Sequence, residues 1–223
     1  MNNKLFITAM SRLLLGFILT AALLFIPAGT INYWNGWLLI IVLFIPMFVA
    51  GVVMMLKDPS LLKKRLNMKE NEREQKIVIA LSGFMFVVAF ILAGFNFRYK
   101  WLMVPKSIVW TSVGLFLLGY IIYAEVLREN SFLSRTVEIQ ENQRVIDTGL
   151  YGIVRHPMYF ATLLIFLSMP LILGSPISIL ILLFYIPIID KRIKNEEEVL
   201  GRGLEGYSDY TKKVKFKMIP FIW

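Results

Sequence analysis

The sequence predicts an all-α fold, a polytopic membrane helix bundle of about six apolar segments with a short C-terminal helical hairpin. Three observations carry this. Hydrophobic residues make up 57% of the chain and charged residues only 17%, against about 25% charge in soluble domains. The apolar residues gather into runs comparable in length to a bilayer's thickness rather than into short alternating stripes. The charge that makes up the net +9 lies almost entirely outside those runs, the pattern of a membrane protein rather than of a nucleic-acid binder.

The segments run from Leu5 to Pro27, Trp34 to Leu56, Ile77 to Phe97, Ile108 to Tyr123, Met158 to Leu173 and Pro176 to Ile189. Turn chemistry divides them: Ala28-Gly29-Thr30 with Asn32, then Lys57-Asp58-Pro59-Ser60, then Gly174-Ser175-Pro176. No charge occurs between Leu13 and Leu56, and the first run has no A-x-A cleavage pattern, so it reads as a retained helix and not a signal peptide. Tyr33, Trp34, Trp37, Trp101, Trp110 and Trp223 lie near segment ends, where amphipathic rings favour the lipid–water boundary.

Lys and Arg fall almost entirely on alternate sides. Arg98, Lys100 and Lys106 stand against 21 others, of which seven lie between Lys57 and Lys76 and eight from Lys191 onward. Since positive loops stay cytoplasmic, this predicts a multi-pass protein with both termini in the cytoplasm. The membrane would be the plasma membrane in a bacterium and the endoplasmic reticulum in a eukaryote. The last two segments are short, because 16 helical residues reach only about 24 Å. They read either as a re-entrant or tilted hairpin or as an ordinary kinked pair, and Pro170 and Pro187 free carbonyls that need a neighbour or a ligand. The chain divides into N-terminal transmembrane helices, 1–130, and a C-terminal region, 131–223, with the hairpin and a polar tail. That tail, basic and apolar from Lys212 to Trp223, reads as a solvated charged face or as a segment lying on an anionic membrane surface.

The stretch Gly149-Leu150-Tyr151-Gly152-Ile153-Val154-Arg155-His156-Pro157-Met158-Tyr159 sets the only histidine between an arginine and a proline, just where an apolar run resumes. Two glycines and a proline let the backbone turn and approach a ligand. His156, Tyr151, Tyr159 and Arg155 supply donors, ring faces and one fixed positive charge. Across the hairpin, Arg192 and Glu196 are four residues apart and share a helix face, where the plain reading is an ion pair. Glu196, Glu197 and Glu198 cannot all reach one partner, so at least one is solvated. A hairpin from Pro157 to Ile189 brings its ends together and sets His156 and Tyr159 beside Arg192 and Glu196. Glu125, costly against lipid, is expected to face the bundle as a wall of the same pocket.

Several chemistries are disfavoured. No Cys is present, which excludes a thiol nucleophile and, with a single His, makes a zinc site improbable. Neither a nucleophile elbow near His156 nor a glycine-rich phosphate loop occurs.

The run GLYGIVRHPMY, the apolar hairpin, Arg192 with Glu196-Glu197, then Tyr207, Tyr210 and Ile219-Pro220 resembles the isoprenylcysteine carboxyl methyltransferase family over about the last 90 residues, from Val137 onward. The resemblance implies an integral membrane enzyme that binds S-adenosyl-L-methionine with its C-terminal half. It implies that Tyr151, His156, Pro157, Met158, Tyr159, Glu196 and Glu197 form the cofactor site together with Gln143, Val145 and Ile146 of the connector. Gln143 stands where the better-known eukaryotic enzymes have a histidine. Arg192 takes the position associated with substrate, where a guanidinium can orient a carboxylate. The implied partners are a lipophilic or prenylated acceptor from the bilayer and membrane lipid, with neither nucleic acid nor metal.

Three other readings remain. Membrane sterol reductases, which bind NADPH, have a similar Arg-His pattern before a Tyr, but usually carry Asn where this chain has Met158. Phospholipid N-methyltransferases share the half-chain pattern with an amine acceptor, against which Arg192 argues mildly. A non-enzymatic membrane protein or small transporter would favour charged residues in mid-segment or duplicated broken helices, and neither is present.

Overall fold

The computed structural model describes residues 3–67, 73–134 and 136–223. Residues 68–72 of the basic loop, and Arg135, lie outside the described residues. Those described form helices and irregular segments without strands.

Four long helices occupy the first four apolar segments: α1 (Asn3–Ala28), α2 (Trp34–Lys57), α4 (Arg73–Tyr99) and α5 (Lys106–Glu129). All four are long and apolar enough to cross a membrane. Their most apolar stretches are at most 33% buried within the protein, and outward residues such as Phe84 and Ile121 are 70% and 67% exposed. Apolar surface on that scale is at home in lipid and not in water. The chain is an integral membrane protein. α3 (Pro59–Leu66) was not expected: it forms within the basic loop, begun by Asp58, whose carboxylate accepts from the Leu61 amide at 2.9 Å, and by Pro59 at its first position.

The last two apolar segments form the hairpin. Its first arm is α6 (Pro157–Ile172); its second is broken into α7 (Ile177–Leu182) and the apolar start of α8 (Tyr185–Gly203). α6 packs chiefly on α5, and Gly119 allows the close approach, since a Cβ there would lie 2.7 Å from Ile165 Cγ1 and 3.0 Å from the Ala161 carbonyl. α7 packs on α4, where the Ser178 hydroxyl donates to the Ala89 carbonyl at 3.0 Å. A final helix, α9 (Tyr207–Lys213), precedes the tail.

The carbonyls freed at the hairpin's tip find neighbours. Pro176 has no amide with which to serve the Ile172 carbonyl four residues back. Instead Asn35 Nδ2 donates to that oxygen at 2.7 Å, the Tyr33 hydroxyl to the Leu173 carbonyl at 2.6 Å, and Asn96 Nδ2 to Gly174 at 3.3 Å. These donors come from the α1–α2 turn, the start of α2 and the end of α4. The tip therefore lies at the end of the bundle that holds Arg98 and Lys100, and the hairpin's open ends lie at the other. One core, which includes Leu24, Leu39, Phe116, Ile172, Leu182 and Ile189, joins the long helices to the hairpin.

Replacing Asn35 by Leu leaves the Ile172 carbonyl buried without a donor. The expected cost is about 1–3 kcal/mol of stability, read as a lower melting temperature of the detergent-purified protein; an unchanged melting temperature contradicts the role given to Asn35.

Candidate active site

The site is built where the hairpin's two ends meet the connector 131–148 and the tail. At Gly149, φ is +49° and a Cβ would run into the Glu129 carboxylate, which accepts from the Leu150 amide at 3.1 Å. Glycine is thus required there. The following 3-10 turn, Gly149–Gly152, turns Tyr151 inward, where its hydroxyl accepts from Asn130 Nδ2 at 3.0 Å and its carbonyl accepts from the Tyr210 hydroxyl at 2.8 Å.

The next residues pair with the tail through their backbones. The Arg155 amide donates to Phe216 at 3.0 Å and the His156 amide to Lys217 at 2.7 Å. Arg155 adds side-chain bonds, from Nη1 to the carbonyls of Val214 and Lys215 and from Nε to Glu197 Oε1 at 2.7 Å. The tail is therefore fastened beneath the site. Of the two readings of that segment, this pairing favours neither outright: Val214 and Met218 are buried while Lys215 is exposed.

His156 caps α6 with an extended φ of −127°, and Pro157 takes the first helical position. Its imidazole, 5% exposed, lies 3.1 Å from Glu197 Oε1 and stacks on Tyr159 with ring centroids 5.6 Å apart. Tyr159 is the hub. Its hydroxyl donates to Glu196 Oε2 at 2.5 Å and accepts from Arg192 Nε at 2.9 Å. Arg192 Nη1 in turn donates to Gln75 Oε1 at 2.9 Å, and Gln75 Nε2 donates to Asn195 Oδ1 at 2.7 Å. Gln75 is wholly buried, so the long helix α4 holds the guanidinium in place.

Helical spacing explains how α8 serves three surroundings. Ile189 and Ile193 point into the core, while Arg192, Glu196 and Leu200, at intervals of four, line the pocket. Glu197, about 100° round the helix from Glu196, meets Arg155, His156 and Lys217. Glu198 faces water and pairs with Arg202.

The pocket measures about 840 Å³ counting its open mouth. Of the residues expected at the site, Gln143, Val145, Ile146, Tyr151, His156, Met158, Tyr159, Arg192 and Glu196 line it. Pro157 and Glu197 do not: the first starts a helix, and the second has its carboxylate committed to Arg155 and His156. Glu125 is not in the wall either. It lies partly exposed and pairs with Arg128 one turn on, and the inward carboxylate at that end of α5 is Glu129. The plain ion pair expected of Arg192 and Glu196 is instead bridged by Tyr159. The sequence reading missed Asn130, Glu138, Leu200, Leu204, Tyr207 and Tyr210 as pocket residues. Only the two tyrosines gave a signal, as part of the tail's motif.

Its outer wall is apolar and aromatic, with Val145, Leu200 and Leu204 against Tyr207 and Tyr210. Its inner end holds Glu196, Tyr159 and Arg192. A flat ring system at one end and a charged group at the other suit this arrangement.

Several known proteins are similar to part of this chain. Residues 111–202 match the isoprenylcysteine carboxyl methyltransferase (ICMT) family. The chain is 28% identical over 139 residues to protein-S-isoprenylcysteine O-methyltransferase of Dictyostelium discoideum, covering 58% of each chain. It is also 28% identical over 93 residues to Delta(14)-sterol reductase of Methylotuvimicrobium alcaliphilum, covering 40% of this chain and 22% of that one. The chain thus spans well under two thirds of the length of either relative. Among solved structures, the eukaryotic intramembrane Ras methyltransferase ICMT aligns with 96% of this chain and 86% of its own at 18% identity, with a TM-score of 0.48. The ICMT match includes the connector, the opening stretch, the hairpin and α8, and stops short of Tyr207 and Tyr210.

Glu197 predicts an acid dependence. Burial pushes its carboxyl up, but hydrogen bonds and charge from His156 and Arg155 outweigh it and hold it down from 4.5 to about 2. A depressed acid contributes stability that is present above about pH 5 and is lost as pH falls towards 2, here at most about 3 kcal/mol. Glu197→Gln should therefore lower the melting temperature at pH 7 and flatten its fall between pH 5 and 2. A parallel fall in both proteins contradicts the assignment.

Proposed function

We propose that the chain is an S-adenosyl-L-methionine-dependent methyltransferase that esterifies the carboxylate of a lipophilic, isoprenylcysteine-like acceptor drawn from the bilayer. The observation that carries this reading is the Tyr159 hydroxyl joining Arg192 and Glu196 at the inner end of a pocket lined by tyrosines and apolar side chains, where the hairpin meets the polar end of the bundle. The distribution of Lys and Arg supports placing that end, and both termini, in the cytoplasm.

S-adenosyl-L-methionine supplies a methyl group on a sulfonium, so that an acceptor oxygen gains the methyl as the carbon–sulfur bond breaks, with no metal and no enzyme-bound intermediate. The protein's part is to position and to exclude water. Tyr151 and Tyr159 offer ring faces to a cation, and Glu196 accepts from amino or hydroxyl groups. His156, buried and fixed by Glu197, holds the start of α6 in place and faces the same pocket. Arg192, steadied by Gln75 and Tyr159, presents its positive charge to the acceptor's carboxylate. It orients that group while the charge shared with Tyr159 and Gln75 keeps it from being fully neutralised, which would weaken the nucleophile. The bilayer delivers the lipophilic part of the acceptor, and the open mouth of the pocket admits the water-soluble donor.

Part of the chain is also similar to sterol reductases, so the decisive test compares two ligands. Calorimetry of the detergent-purified protein should show S-adenosylhomocysteine binding, lost in His156→Ala and Glu196→Ala while the circular dichroism of the fold is retained. Binding of NADPH alone would assign the pocket to the reductase class. For the acceptor, Arg192→Lys keeps the charge but loses the fork geometry. It should raise KM for a prenylated cysteine about 10- to 100-fold and leave S-adenosylhomocysteine affinity within about threefold. Equal KM values would remove Arg192 from the acceptor site.

A further inference from the structure

Eight tyrosines lie buried or half-buried in the bundle and around the pocket, and seven of them have hydroxyl partners. Tyr33 donates to Leu173, Tyr120 to Leu43, Tyr159 to Glu196 and Tyr210 to Tyr151, while Tyr151 is bonded to Asn130, Tyr185 to Thr162 and Tyr123 to Arg65. The eighth is Tyr207. It is 5% exposed, and its hydroxyl is the one buried side-chain polar atom among the described residues that has no partner. A buried hydroxyl without a partner is destabilising, and phenylalanine would fill the same space without that penalty. The unpaired atom belongs to a residue that lines the pocket.

Three features narrow what would satisfy it. Burial, followed by the negative charges of Glu197 and Glu196, raises the phenol's pKa well above its ordinary value, so Tyr207 is a neutral O–H donor at any physiological pH. Those same carboxylates disfavour an anionic acceptor beside it. Its surroundings are flat and apolar, with Tyr210 at 5.8 Å between ring centroids and Val145, Leu200 and Leu204 packed around the pair.

Building on the reading under Proposed function, we propose that Tyr207 is a ligand-binding residue whose hydroxyl donates to a neutral acceptor on the nucleoside part of the donor, an adenine ring nitrogen or a ribose oxygen. The outer, aromatic end of the pocket then takes the nucleoside, and the amino-acid and sulfonium part lies towards Tyr159 and Glu196. The hydroxyl is held unpaired until the ligand arrives.

The test uses Tyr207→Phe in the full-length, detergent-purified protein, with Tyr210→Phe beside it. Calorimetric titrations use S-adenosylhomocysteine and 5′-methylthioadenosine, which keeps the nucleoside and lacks the amino-acid end. Tyr207→Phe should raise Kd for both ligands about five- to fifteen-fold, with a ligand-free melting temperature equal to or above that of the wild type. Tyr210→Phe, which loses a bond to Tyr151, should lower the melting temperature. Unchanged Kd values in Tyr207→Phe overturn the inference and leave the methyltransferase reading standing. Weakened S-adenosylhomocysteine with unchanged methylthioadenosine places the hydroxyl at the amino-acid end and overturns the nucleoside assignment. A lower ligand-free melting temperature together with weaker binding makes Tyr207 a structural residue and overturns the inference as well. Failure of the wild type to bind either ligand overturns the underlying reading itself.

Discussion

The hydroxyl of Tyr159 takes a hydrogen bond from Arg192 and gives one to Glu196, and both of those side chains belong to a helix that begins on the far side of a hairpin turn. Such a three-part contact exists only if α6 and α8 leave the tip and return to the same end of the bundle. The capped carbonyls of Ile172, Leu173 and Gly174 make that return possible in a low-dielectric interior, because each oxygen released by the break between α6 and α7 meets a donor from another helix or turn. The polar cluster at one end and the capped tip at the other are thus two consequences of the same short hairpin. Gln75 ties the cluster to α4, so the site is anchored to one of the long spans as well as to the C-terminal region.

Around this cluster the charges are divided by helix face. Glu196 serves the pocket, Glu197 holds Arg155 and His156, and Glu198 is left to solvent. A depressed carboxyl at Glu197 marks a structural clamp, not a proton donor, and Arg155 is its counterpart, spanning α8 and the tail. The tail in turn closes the pocket's outer wall by placing Tyr207 and Tyr210 against Val145. The cofactor residues implied by the resemblance end at α8, yet part of the enclosure comes from Tyr207 and Tyr210 of α9.

Much of this was legible in the sequence. The first five apolar runs each became one helix with ends within about six residues, because length and hydropathy dominate any membrane segment, while the sixth, from Pro176 to Ile189, is divided between α7 and the start of α8. The pairing of Tyr159 with Arg192 and Glu196 followed from a hairpin of apolar residues between polar ends. What the sequence hid has physical reasons. α3 lies in a charged loop whose amphipathic face is only two buried leucines wide. The choice between Glu125 and Glu129 depends on one turn's difference in helix orientation. Glu197 and Glu196 are neighbours in sequence and differ only in the side of the helix they occupy. Gln75 carries no motif at all; its role exists only because α4 passes beside α8. The unpaired hydroxyl of Tyr207 is likewise a property of packing, since seven other buried or half-buried tyrosines are chemically identical to it and satisfied.

The claim on which the rest depends is that Tyr159 and Glu196 are in direct contact in the ligand-free protein. A double-mutant cycle built from Tyr159→Phe and Glu196→Gln, with unfolding of the detergent-solubilised protein as the readout, measures that contact alone. A coupling energy of about 1 kcal/mol or more is the expected result, as for a charge-assisted hydrogen bond out of water. Additive effects of the two substitutions would mean that the hairpin does not bring these groups together, and the site as described would not exist.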